Sequence, residues 1–181
     1  MKFFTSENSI INSEKLKKIL LIYIALPDIS FSSEYCRSLV TIYDQKKSGF
    51  IPNEQLVLLL NDLNQCYDIF SMNITSGASD LTGQELKNCF DQMGIHTSSS
   101  IIQILLNRYG TVNEATTSEK KPGIDFVNFA VCSLKLRNII IFWDIKAMRQ
   151  IVANTSNTDV RGSKRVLTFT LQEFVEQMMY S

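Results

Sequence analysis

The sequence carries no excess of charge of either sign. Lysine and arginine together number 18, as do aspartate and glutamate, so the formal net charge is zero. Because nucleic acids and anionic membranes attract basic surfaces, neither is expected to be a partner. The few short basic groups, within residues 15–18, 120–121 and 161–165, are interpreted as solvated surface rather than as a phosphate-binding patch.

Cysteine pairs, a secretory leader and a long apolar run are also missing. The four cysteines never form a Cys-x-x-Cys pair, which argues against a zinc site or a redox motif, so we expect reduced, half-buried thiols. The N-terminus lacks the basic, apolar and small-residue succession of a secretory leader. The most apolar run, at residues 139–143, is too short to cross a bilayer. We therefore predict a cytoplasmic protein without a membrane span.

What the sequence does contain is apolar residues at helical spacing, in block after block. With 45% hydrophobic residues, the chain can bury one substantial core, or two closely packed lobes, without disulfides or metals. Apolar residues three and four positions apart recur over residues 16–23 and 56–70, and the second stripe predicts a helix of more than three turns. Further helices are predicted from Ser32 or Ser33 to about residue 43, over residues 84–94, from Thr97 or Ser98 to Tyr109, over residues 126 to about 150, and over residues 171–179. The fold class is therefore all-α.

The breaks between these helices share a pattern. Several of them end on a short β-prone segment that is followed almost at once by a helix, at residues 10–11, 50–51, 80–82, 124–126 and 166–169. A helix, a loop with a terminal β-residue and a second helix make up the EF-hand plan, and five such units can be counted. Residues 153–164, rich in Asn, Thr, Ser and Gly, are predicted as the most loop-like stretch.

The segments that carry these units resemble the C-terminal penta-EF-hand domain of calpains. The match is closest at residues 31–40 and 44–56, and it continues through residues 69–86, 108–109, 124–129, 166–169 and 178–181. The resemblance implies a single domain, 1–181, of about eight helices in two lobes, with short β-pairings of motif one with two and of motif three with four. Its five motifs would span residues 1–25, 31–66, 60–94, 98–136 and 130–181. The departures are a shortened first motif and two longer loops, at residues 111–122 and 153–164, where added length costs little free energy.

The second loop comes nearest to a calcium-binding EF-hand. Such a loop needs oxygen ligands at positions 1, 3 and 5, a glycine at position 6 and a bidentate glutamate at position 12. Asp44, Ser48 and Gly49 fit positions 1, 5 and 6. Lys46 and Gln55, however, occupy positions 3 and 12, so a cation points where a carboxylate should and the bidentate ligand is neutral.

The other loops depart further from the calcium-binding pattern. The third keeps Glu85 at position 12, but positions 1, 3 and 5 are Ile74, Ser76 and Ala78. In the first loop Lys15 replaces the terminal glutamate, the fourth is stretched by an insertion, and the fifth has no aspartate in register. We expect no metal at high affinity, with Asp44, Ser48 and Glu85 as weak candidates for calcium, and no other cofactor.

The fifth motif has no sister loop in the chain, and this predicts a partner. Its β-segment would form an unprotected strand edge, and the predicted helix after it would expose an apolar face. We expect the motif to pair with the fifth motif of another penta-EF-hand chain, in a homodimer or a heterodimer, as the resemblance also implies. The predicted interface consists of Val166, Leu167, Phe169, Leu171, Phe174, Val175, Met178 and Met179.

A catalytic role is not expected for this chain by itself. Calpains are cysteine proteases, but the only histidine, His96, lies on a predicted turn, and none of Cys36, Cys66, Cys89 and Cys132 lies in a recognisable nucleophile turn. The resemblance implies a regulatory and dimerisation domain of a calpain-type intracellular cysteine protease, with calcium binding largely lost and the protease domains of a parent protein as further partners. The alternative is a stand-alone EF-hand-like adaptor that binds amphipathic peptide helices in a hydrophobic groove.

Overall fold

The computed structural model describes residues 10–23, 29–111 and 122–156, and the side chains of these ranges as far as Ile145. Within them the chain is all-α, and its only β-structure consists of isolated bridges. The six helices are α1 (Ser13–Tyr23), α2 (Ser33–Tyr43), α3 (Asn53–Asn73), α4 (Gly83–Gln92), α5 (Ser99–Tyr109) and α6 (Phe126–Ser156).

Polar side chains determine where helices α2, α4 and α5 begin. Ser32, Thr82 and Ser98 are the N-cap residues, and each accepts a hydrogen bond from the backbone N–H three residues later. This bond satisfies one of the free donors of the first turn. At α4, Glu85 completes a capping box with Thr82. The predicted starts near Ser32 and Ser98 are therefore confirmed.

Isolated antiparallel bridges join the loops in pairs. Ile11 pairs with Ile51, which connects the first loop to the second, and Leu81 pairs with Ile124, which connects the third loop to the fourth. Each pair exchanges two backbone hydrogen bonds, with donor–acceptor distances of 2.8 to 3.0 Å. These are the β-pairings that the resemblance to penta-EF-hand domains implies. The fifth predicted segment, at residues 166–169, lies outside the described residues.

Helices α3 and α6 pack against each other in a core that both loop pairs share. Leu59, Leu63 and Phe70 lie on the apolar stripe of α3 and are at most 7% exposed, so the stripe faces the core. The ring of Phe70 lies 5.6 Å from that of Phe126 and 5.8 Å from that of Phe129, both on α6. Phe129 also contacts Phe90 of α4. This aromatic cluster ties the second loop pair to the long helices.

Two sequence expectations differ from the structure. Helix α6 continues to Ser156 and does not end near residue 150, so residues 153–156 are helical and not part of a loop. Asn, Thr and Ser disfavour a helix only weakly, and that preference is readily overridden. The four cysteines are fully buried, at 0 to 1% exposure, and not half-buried, because each faces the core from a helix.

Part of the predicted helix set lies outside the described residues. Of about eight expected helices, six lie in the described residues. Residues 171–179, predicted as the last helix, lie outside them.

The first twenty residues of α6 are more apolar than the sequence analysis recognised. By length and composition alone, Phe126–Ile145 could cross a membrane, whereas the run at residues 139–143 is too short. Half of this window is buried inside the fold. Since α6 packs against α2, α3 and α5, we interpret it as the core helix of a globular domain.

Candidate functional site: the EF-hand loops and helix α6

The second loop is organised by the carboxylate of Asp44. Its two oxygens accept hydrogen bonds from the Ser48 hydroxyl at 3.1 Å and from the Gly49 N–H at 2.6 Å. Lys47 and Gly49 have φ angles of +54° and +83°, in the left-handed region that lets the loop turn around Asp44. Desolvation raises the pKa of Asp44, but the hydrogen bonds from Ser48 and Gly49 together outweigh it and lower the pKa. The structure thus brings two of the three weak calcium candidates into direct contact.

In the second loop, the two residues that disfavour calcium binding line the same cleft as the two weak calcium candidates. Lys46 and Gln55 line a small cleft of about 230 Å³ together with Asp44 and Ser48. The lysine at position 3 therefore adds a positive charge beside the carboxylate, and position 12 offers a neutral amide. Both features oppose the binding of a divalent cation.

Glu85 closes the third loop through hydrogen bonds to the chain itself. One of its oxygens accepts from the N–H of Thr75 at 3.0 Å and from the hydroxyl of the same residue. The other oxygen accepts from the N–H of Thr82 at 2.7 Å. Desolvation raises the pKa of Glu85, but the hydrogen bonds from Thr75 and Thr82 outweigh it and lower the pKa. One carboxylate thereby links the beginning of the loop to its end.

Polar groups of the first and fourth loops serve as helix caps or close the insertion. Asn12 and Asp125 each accept the N–H three residues later, at 2.9 and 2.7 Å, at the starts of α1 and α6. Thr111 and Gly123 exchange two backbone hydrogen bonds across the base of the inserted segment. The insertion therefore leaves and rejoins the fold at one point, while residues 112–121 lie outside the described residues.

The donor set of the described loops does not fit calcium. Calcium takes six to eight oxygen ligands, several of them carboxylates. The second and third loops each place one carboxylate at a ligand position, Asp44 and Glu85, and both carboxylates already accept hydrogen bonds from the chain. In the described ranges no three His, Cys, Asp or Glu side chains come together in a group that could hold a metal ion.

Comparison with known proteins shows that the chain is similar in sequence to calpain subunits. The chain is 27% identical over 151 residues, or 83% of its length, to calpain-A from Drosophila melanogaster. It is 24% identical over 166 residues, or 92% of its length, to calpain small subunit 1 from Rattus norvegicus. The calpain-1 catalytic subunit from Homo sapiens is 23% identical over 151 residues. The chain is homologous to the penta-EF-hand domain of calpains.

The homology covers only part of the calpain subunits. The chain spans 16% of calpain-A, 18% of the human calpain-1 catalytic subunit and 54% of the rat small subunit. A solved structure of a homologue of programmed cell death 6 protein from Leishmania major Friedlin has the same fold. It matches with a TM-score of 0.53 and 19% identity, covering 94% of this chain and 81% of that chain. No family model matches the chain.

The residues predicted for the dimer interface, Val166 to Met179, lie outside the described residues. Helix α6 precedes these residues in the sequence, and the burial of its side chains changes along its length. Its first half is buried, but near the end of its described side chains Ile141, Phe142 and Ile145 are 50%, 45% and 43% exposed. These three residues are called the exposed α6 surface below. By the predicted motif bounds, this surface would lie in the fifth motif, residues 130–181.

The cysteines and the histidine are poorly placed for nucleophilic chemistry. Burial raises the pKa of Cys36 to about 11 and those of Cys66 and Cys89 to about 12, and it raises the pKa of Cys132 as well. A cysteine nucleophile acts as the thiolate, which such burial disfavours. His96 is 86% exposed on the turn after α4, 3.4 Å from Asp91.

A polar cluster that was not predicted from the sequence joins α2, α3 and α6. It consists of Tyr43, Asp62 and Arg137 and is here called the clasp. Arg137 donates to both oxygens of Asp62, through Nη1 at 2.9 Å and through Nη2. The Tyr43 hydroxyl also donates to Asp62, and Arg137 Nη2 lies 3.4 Å from that hydroxyl. Asp62 and Arg137 are 75 positions apart in the sequence. One feature of the sequence points to the clasp, namely an arginine within the apolar stretch of α6.

Proposed function

We propose that the chain is a non-catalytic regulatory and dimerisation domain of a calpain-type intracellular cysteine protease, in which calcium binding is largely lost. The observation that carries this proposal is that Lys46 and Gln55, at ligand positions 3 and 12 of the second loop, line the same cleft as Asp44, in a chain homologous to calpain subunits. A penta-EF-hand domain with such loops acts through packing and association. Its location is the cytoplasm, and its further partners are the protease domains of a parent protein.

The proposed association uses the fifth motif, in a homodimer or in a heterodimer with another penta-EF-hand chain. Two features support it. In the exposed α6 surface, Ile141 and Ile145 are 50% and 43% exposed, and a protein seldom leaves such apolar side chains in solvent. The sequence beyond α6 repeats apolar residues at spacings of three and four, from Leu171 to Met179. The β-prone residues Val166, Leu167 and Phe169 precede them in the sequence, and two such segments can pair about a twofold axis.

Sedimentation velocity tests the association. We expect the unmodified chain to dimerise at micromolar concentration, and the double variant Phe174→Glu/Met178→Glu to be a folded monomer. A second double variant, Ile141→Glu/Ile145→Glu, tests the described part of the same surface. Circular dichroism should show unchanged helix content in both variants.

Met72→Glu is the matched control for these charge substitutions. Met72 is 71% exposed on α3, so the same charge at an apolar surface residue there should leave the dimer intact. An unmodified chain that stays monomeric at high micromolar concentration would exclude self-association. In that case a mixture with a calpain small subunit would test the heterodimer.

A second candidate is a stand-alone adaptor for amphipathic peptide helices. A groove of about 730 Å³ between α3 and the start of α6 supports it, with mostly apolar walls that include Ile29, Tyr67, Phe70, Ile74, Phe126 and Val127.

Fluorescence anisotropy with a labelled amphipathic peptide helix tests this candidate. Saturable binding should be lost in Val127→Asp and kept in Val57→Asp, an exposed position in the first half of α3. Equal binding by the two variants would argue against the groove.

A further inference from the structure

The clasp fixes three helices with one set of charge-assisted hydrogen bonds. The side chains of Asp62 and Arg137 are 22% and 32% exposed, and Tyr43 is buried. A paired guanidinium and carboxylate with two parallel N–H···O bonds has a defined geometry, unlike most exposed ion pairs. Because Asp62 accepts from both partners, movement of one partner disturbs the bonds of the other.

The residue after Arg137 strengthens the connection between α6 and α2. The amide of Asn138 donates to the carbonyl of Ile42 at 3.3 Å. Ile42 lies in the last turn of α2, where carbonyls have no partner within the helix. The positive charge of Arg137 at this end of α2 is also favoured by the helix dipole. Two consecutive residues of α6 therefore hold the C-terminal end of α2.

The clasp lies between two features of the candidate site. Asp44, which organises the second loop, directly follows Tyr43 in the chain. Ile141, in the exposed α6 surface, lies about one helical turn beyond Arg137. The side chains of the clasp therefore lie between the second loop and the exposed part of α6.

We propose that the clasp couples the second loop to helix α6, so that a rearrangement of the loop alters the packing of α6, and the reverse. Coupling of two sites requires an element whose state both sites affect. Tyr43 is that element, since its backbone continues into the loop while its hydroxyl is held by Asp62 beside Arg137. The coupling goes beyond the proposed association, and it does not depend on whether the chain dimerises.

Hydrogen exchange measured by mass spectrometry tests the coupling. Asp44→Asn perturbs the loop, because the amide nitrogen that replaces one carboxylate oxygen cannot accept from Gly49 or Ser48. We expect this change to accelerate exchange by about threefold or more in the part of α6 from Ser133 to Ile145. Lys46→Ala, a change at an exposed side chain of the same loop, should leave exchange in α6 unchanged.

A chain without the clasp charges provides the decisive comparison. Removal of Arg137 alone would leave the charge of Asp62 without its partner and could unfold the chain, whereas replacement of a buried ion pair by apolar residues is often neutral or stabilising. The double variant Asp62→Leu/Arg137→Met should therefore fold. In that background Asp44→Asn should no longer accelerate exchange in α6. Tyr43→Phe, which removes only the hydroxyl, should weaken the response in the same direction.

Lys135→Met is the matched control on α6. Its ammonium group lies over the ring of Tyr109, 5.8 Å from the centroid, away from the clasp. The response of α6 to Asp44→Asn should persist in this variant. An equal response with and without the clasp, or no response in the unmodified background, would overturn the coupling.

Discussion

At the scale of single residues, burial distinguishes leucines that look alike in the sequence. Leu59 and Leu63 of α3 are fully buried, and Phe70 is 7% exposed among the rings of α6. Replacement of each of these residues by alanine should lower the free energy of unfolding by about 2–5 kcal/mol, as loss of a large buried side chain does. Urea unfolding followed by circular dichroism measures the change.

Leu58 gives the matched control for that series. It directly precedes Leu59 in α3 but lies on another face of the helix and is 52% exposed. Leu58→Ala should change the free energy of unfolding by less than about 0.5 kcal/mol, as is usual at a surface position. Losses below about 1 kcal/mol for the buried positions would show that this side of α3 does not form the core.

The capping box of α4 should make a smaller contribution. Thr82→Ala removes the side chain that accepts the N–H of Glu85, so the free energy of unfolding should fall by about 0.5–2 kcal/mol. Thr41→Ala is the control, because Thr41 is exposed within α2 and not at a cap. Chemical denaturation of both variants in chelator separates the effect of the cap from any effect of calcium. Equal losses would contradict the importance of the cap.

At the scale of helices, the clasp should make stability depend on pH in the acid range. Burial raises the pKa of Asp62, but hydrogen bonds from Arg137 and Tyr43 outweigh it and hold the pKa below its ordinary value of 3.8. A carboxyl with a lowered folded pKa contributes stability that is present above the unfolded pKa and is lost as pH falls through the folded pKa. The contribution of the clasp should therefore be full at neutral pH and fade below about pH 4.

Comparison of the unmodified chain with the Asp62→Asn variant isolates the contribution of the Asp62 carboxylate to stability. Asp44, Glu85 and Asp91 also have lowered pKa values, but they are present in both proteins and largely cancel in the difference. Unfolding by urea at a series of pH values should show the largest difference in stability at neutral pH and a smaller one near pH 3. A difference that does not depend on pH would mean that the charge of Asp62 contributes nothing.

At the scale of the whole molecule, calcium should leave stability nearly unchanged. A ligand at a hundred times its dissociation constant adds about 2.7 kcal/mol to the native state. For a chain of this length each kcal/mol raises the melting temperature by about 2–4 °C, so tight binding would give a rise of about 5–10 °C. We expect a shift below about 1 °C between millimolar calcium and chelator, because the described loops lack the required carboxylates.

A variant with restored ligands serves as the positive control for the calcium experiment. Lys46→Asp and Gln55→Glu together place carboxylates at positions 3 and 12 of the second loop, beside Asp44. This double variant should melt at a higher temperature in calcium than in chelator. A large rise in the unmodified chain would refute the loss of calcium binding.

The sequence by itself determined the class of fold and the position of most helices. Helical periodicity and N-caps depend on residues within a few positions of one another, so Ser32, Ser98 and the stripe of α3 could be recognised directly. The β-prone residues Ile51 and Leu81 were likewise visible, and the resemblance supplied their pairing. The ligand positions of the loops could be assigned for the same reason.

The tertiary structure decided what connects the helices. Tyr43 and Arg137 are 94 positions apart, and no local pattern shows that α2 and α6 bring them to the same carboxylate. The full burial of the cysteines and the continuation of α6 to Ser156 also depend on how helices pack. Periodicity records which face of a helix is apolar, but the contacts of that face are set by the relative positions of segments distant in the sequence.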